Sequence, residues 1–176
     1  MRLAAIVALL LCALPAGTMA DKPKVNRAMI EAMEHSMDRK LSGLWPADPV
    51  EVVGLTQGAY IDGYGAIFMG EVNMAPAPGI TPFHPTVKPD EIKRTRDKKL
   101  QRMAQLKTAM REMLVDSARS LDAVPADEQV AVGISLFYWT WENREGLPAQ
   151  IVMHAPRKAL LQSSDAGQAP IASEEF

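Results

Sequence analysis

Cysteine is almost missing from this chain. The single copy, Cys12, sits in an apolar N-terminal stretch, so the remainder can form no disulfide, no thiolate metal site and no cysteine nucleophile. Histidine is scarce too: His35, His84 and His154 fall on a helical, a proline-rich and a strand-like segment, with no two at the spacing of a zinc pair. No apolar run reaches the roughly 20 residues of a spanning helix. Neither sign of charge dominates, with a net value of −2, which gives no footprint for nucleic acid. Local enzyme signatures are incomplete. Gly58 and Gly63 have the spacing of a phosphate-cradling loop, but Tyr64 stands where its lysine belongs. Gly133-Ile134-Ser135 begins a nucleophile elbow, but Phe137 replaces its second glycine. No catalytic residue, metal or cofactor is expected.

The first residues look like a leader. Arg2 precedes the apolar run Leu3–Leu14, Pro15 and Gly17 break that run, and Thr18-Met19-Ala20 ends on the small residue a signal peptidase accepts. Cleavage near Ala20 would export a cysteine-free chain beginning at Asp21, to the periplasm or the exterior. Leu11 before Cys12 disfavours a lipid-modified cysteine. The expected organisation is residues 1–20 as signal peptide, 21–162 as one domain, and 163–176 as a disordered tail of Ser, Asp, Gly, Gln, Ala and Pro.

The clearest periodic segment runs from Lys88 to Leu121. Pro89 suits a first helical position, Asp90 and Glu91 suit the positively polarised first turn, and Met103, Leu106, Met110, Met113, Leu114 and Leu121 share a face. An earlier amphipathic helix is expected over Lys24–Ser42, with Val25, Met29, Met33, Met37 and Leu41 on one side and Glu31, Glu34 and Asp38 on the other. Between the helices, Val50–Asn73 reads as a hairpin turning at Asp62-Gly63-Tyr64-Gly65, and Met74–Pro89 as an extended proline connector pinned by Phe83. After them, Gln129–Trp141 and Ala149–Ala155 read as a second hairpin, followed by a short helix from Pro156 to Leu161. The expected fold is α+β, a two-layer domain in which the long helix covers a four-stranded antiparallel sheet, with a mixed sheet as the alternative.

The segment Tyr60–Asn73 resembles one found in exported bacterial proteins of unknown function. The resemblance spans one strand pair and implies no activity or residue role.

Two surfaces could carry function. Arg94, Lys98 and Arg102 form a row of like charge near a helix N-terminus, an arrangement that helix stability does not explain and that would suit an anionic surface. The competing reading is a solvated face, or pairing of this row with Glu31, Glu34 and Asp38. Alternation along Gln129–Trp141 puts Val130, Val132, Ile134, Leu136 and Tyr138 on one face and Phe137, Trp139 and Trp141 on the other. These aromatics are either covered by the methionines of the first helix or form a patch for a protein partner, a second copy or an apolar ligand. The expected function is a binding or assembly module. The alternative is a hydrolase-like enzyme whose Asp62, His84, Glu142 and His154 converge only in the fold, or whose Asp62 acts beside Tyr60 and Tyr64 at the hairpin tip.

Overall fold

A computed structural model of the chain describes residues 24–76, 80, 85–163 and 165–176. The expected leader, Phe83 and His84 lie outside these. The fold is α+β. Helix α1 spans Arg27–Ser42, strands β1, β2 and β3 span Glu51–Val52, Gln57–Ile61 and Gly65–Asn73, and helix α2 spans Pro89–Ser120. Strands β4 (Gln129–Leu136) and β5 (Gln150–Pro156), helix α3 (Arg157–Gln162) and strand β6 (Ala172–Glu175) complete it.

Asn26 caps α1 by accepting a hydrogen bond from the Met29 N–H at 3.0 Å, which starts the helix three residues later than periodicity suggests. Pro89 occupies the first turn of α2 as expected. All six residues of the expected α2 stripe are buried, and Leu106, Met110 and Leu114 are wholly so. They lie over Phe68, Val130, Val132, Ile134, Ile151 and Met153, each of which contributes about 1.5–3 kcal/mol by leaving water. Met33, Met37 and Leu41 of α1 join the same core, with Ile30 buried above them.

The sheet corrects the antiparallel four-stranded expectation. It has six strands in a mixed arrangement, ordered β1–β3–β4–β5–β6, with β2 also paired to β3. β3 and β4 are parallel because α2 carries the chain back across one face before β4 enters, so the two hairpins meet as a crossover. β1 and β2 both lie antiparallel to β3 and form one interrupted edge, broken near Gly54.

At the turn between β2 and β3, Gly65 has φ +134° and faces the Gln129 backbone so closely that a Cβ would collide with it. Only glycine permits this approach of the turn to β4.

The disordered-tail expectation is also corrected. β6 pairs antiparallel with β5, and the Phe176 carbonyl accepts hydrogen bonds from the Ala149 and Gln150 N–H groups at 2.5 and 3.2 Å. The segment is polar in sequence because it forms a sheet edge, where Glu174 and Glu175 are at home.

Candidate functional site

The strand expected to reach Trp141 stops at Leu136. Past that point side chains take over the backbone groups: Lys99 Nζ donates to the Phe137 carbonyl at 2.8 Å, and Glu142 Oε1 accepts from the Trp139 N–H at 3.0 Å. Glu142 Oε2 lies 2.6 Å from Lys99 Nζ, and both side chains are 1% exposed. The ammonium also sits 4.4 Å from the centre of the Tyr138 ring, whose hydroxyl donates to the Pro148 carbonyl. Burial pulls the Lys99 pKa down, and burial pushes Tyr138 up to about 12 with the Glu142 charge adding to it. Residues 137–148 are therefore a loop strapped to α2 around a buried ion pair.

The three aromatics are dispersed by that loop. Phe137 and Trp141 are half-buried, whereas Trp139 is 38% exposed and meets Phe137 edge-to-face at 5.1 Å. The Trp141 Nε1 is buried with no hydrogen-bond partner among the described residues. The first helix is not what covers this region, since α1 packs against β1, β2 and α2. A continuous aromatic strand face is absent.

The basic row lines an open groove of about 610 Å³ together with Trp45 and Asp48, but its members differ. Arg102 is only 7% exposed. It donates to the Met74 and Asp48 carbonyls, meets Asp48 Oδ2 at 2.7 Å and stacks over Trp45 at 4.7 Å. Lys98 pairs with the same Asp48, whose carboxyl is held below its usual range first by that bond. Arg94 is exposed and forms no ion pair with a described residue. Two of the three cations thus fasten the turn that follows α1.

The acidic back of α1 is not their partner. Glu34 Oε1 accepts from the Gly58 N–H at 2.6 Å, and Arg27, paired to Glu34 Oε2 at 2.5 Å, donates to the Gly58 carbonyl. Asp38 accepts from the Thr56 N–H and hydroxyl at 3.0 and 2.6 Å. Glu31 lies 3.9 Å from His35. The charge contact between helices runs the opposite way, from Lys40 of α1 to Glu112 and Asp116 of α2 at 3.0 and 2.9 Å. At the hairpin tip, the Tyr60 hydroxyl reaches Glu128 Oε1 at 3.4 Å, and burial pushes its pKa up to about 12 with Glu128 reinforcing it.

The residues of the enzyme reading stay apart: Asp62 is exposed beside Tyr60, Glu142 is held by Lys99, and His154 meets Gln129 at 3.3 Å on another surface. His84 lies outside the described residues. Among the described residues no cluster of three His, Cys, Asp or Glu side chains is placed to hold a metal ion, and no helix is long and apolar enough to cross a membrane.

That other surface is the second face of the sheet. Every described helix lies on one side. The register places Ala59, Ile67, Ala131, His154 and Ala172 in one row across the opposite side, and Gln57, Met69, Gly133, Val152 and Glu174 in the next. Ile61 is 51% and Met69 36% exposed there, while Ile67 and Val152 are half-buried by their neighbours. Met69 lies so close over Gly133 that a Cβ on that glycine would strike its sulfur. Polar cross-strand pairs bound the apolar centre, with Gln129 and His154 at one end and Gln150 donating to Ser135 at 3.3 Å at the other. Sequence reasoning missed this face, although the alternation of Ile61, Ile67 and Met69 with Ala66, Phe68 and Val72 carried its signal.

Comparisons with protein-family models, curated proteins and solved structures find no match.

Proposed function

We propose that this chain is an exported, non-enzymatic binding or assembly domain that works through the open face of its sheet. The carrying observation is the one-sided layering: an apolar centre of Ile67, Met69 and Val152, with Ile61 and polar side chains at its border, has no described segment packed on it. Two-layer domains with an exposed sheet normally place polar side chains on the wet side, so an apolar centre there favours a partner. Trp139 is a second exposed anchor near the end of β4. The basic row supports an anionic partner less well, because Lys98 and Arg102 already hold Asp48.

Oxidative footprinting tests the reading. Met69 is the reporter, because 36% of its surface is open in the isolated chain. Met69 is expected to oxidise readily in dilute purified protein and to be protected in intact cells that export it. Equal oxidation in both settings overturns the proposal.

A further inference from the structure

Both edges of this sheet are guarded, and that narrows what a partner can do. On the β2 side, Glu34 and Arg27 occupy the outward N–H and carbonyl of Gly58, and Asp38 occupies the Thr56 N–H. On the β6 side every residue of the strand is exposed, Glu174 carries a charge beside the edge, and Lys107 of α2 holds the Glu175 carboxylate at 2.6 Å. Strand addition is disfavoured at each edge by these devices. The broad face between them keeps its charges, Glu71 and Glu174, at the margin of an apolar centre.

We infer that the open face is occupied by the same face of a second copy, so that two chains form a sandwich of two sheets. This rests on the open-face reading above and names its partner. Two observations select a second copy. The first is area: at about 3.3 Å per residue the columns run from about 13 Å at β6 to about 30 Å at β3, and at about 4.8 Å spacing they give on the order of 500 Å² per copy. The pair then buries on the order of 1,000 Å², the size of a weak, reversible interface.

The second observation is charge. With a two-fold axis along β4, the columns of β3 and β5 exchange places, as do those of β2 and β6, while each row keeps its level. Glu71 then faces Gln150 of the second copy, Glu174 faces Gln57, and Met69 faces Val152. Glu71 and Glu174 each meet an amide, Met69 meets Val152, and Ile67 meets the His154 ring. Aligned packing of twisted sheets about 10 Å apart accommodates this pairing.

Sedimentation of the full-length secreted protein over a wide concentration range tests the proposal. A monomer–dimer equilibrium is expected. Met69→Glu should weaken it at least about 100-fold without lowering the melting temperature, because burying an unpaired carboxylate in an interface is costly. Val152→Glu, at the position that faces Met69, serves as the second variant if Met69→Glu fails to fold. A short bis-maleimide should link Met69→Cys chains of the exported, otherwise cysteine-free protein to Val152→Cys chains more readily than either variant to itself.

A mass of one chain at every concentration, or indifference of the dimer to both glutamates, overturns the second-copy assignment. If Met69 is nonetheless protected in exporting cells, the open-face reading survives with a different partner. If that protection is also missing, both fall.

Discussion

Lys99 and Glu142 place opposite charges where both side chains are almost wholly sealed from water, and the loop that ends β4 is organised around them. Lys99→Met should therefore cost about 3–5 kcal/mol in urea unfolding, since it leaves the Glu142 carboxylate buried without a counter-charge. Lys99→Met with Glu142→Leu should recover most of that loss, an outcome a surface ion pair would not give. Lys99 lies four residues before Met103 and so shares the apolar stripe of α2 by spacing alone. Its membership of a run of basic residues hid this in the sequence, and nothing local indicated that Glu142 would meet it.

Tyr60 and Tyr138 supply a pH signature. Both pKa values are raised to about 12, so the folded chain retains protons that an unfolded tyrosine releases near its ordinary value of 10. Their contribution to stability is complete below pH 10 and is lost as pH rises towards 12. Denaturation midpoints should fall across that window, and tyrosinate absorbance at pH 11 should be lower in the native than in the unfolded protein. Unchanged midpoints would remove these two groups from the account.

Helix α1 does more than cover the core, because its polar side acts as a clip along β2. Glu34→Ala with Asp38→Ala should speed hydrogen exchange at the Gly58 and Thr56 amides at least tenfold and increase light scattering on storage, as an unguarded edge becomes available. Exchange rates equal to those of the parent would show that the edge needs no guard.

Periodicity made both long helices legible, and alternation correctly placed Val130, Val132, Ile134 and Leu136 in the core. The end of β4 was illegible because a lysine from α2 competes for its backbone, and β6 because an edge strand can be built from polar residues. The acidic side of α1 was visible, but its target was not, since a carboxylate seeking a backbone N–H has the same sequence signature as one seeking a cation.

The two layers leave one broad side of the protein bare among the described residues, with apolar positions at its centre and polar ones around them. The α+β class could be read from the order of periodic segments. The parallel pairing of β3 with β4 could not, because it depends on where α2 returns the chain. Nor could the groove beside the basic row be assessed from charge alone, since Asp48 and Trp45 come from a turn whose position only the fold fixes.

The sheet order has a consequence for how the molecule is made. Beyond the shared edge of β1 and β2, each strand lies beside the one that precedes it in the chain. A ribosome releasing this polypeptide therefore never asks a late strand to wedge between two that are already joined. The sheet can widen in one direction as the chain emerges, with a single long pause while α2 is completed before β4 has something to dock on. The strand added last pairs with β5 alone and is tied to α2 through the Lys107–Glu175 ion pair, so one helix contact and one ladder close the sheet.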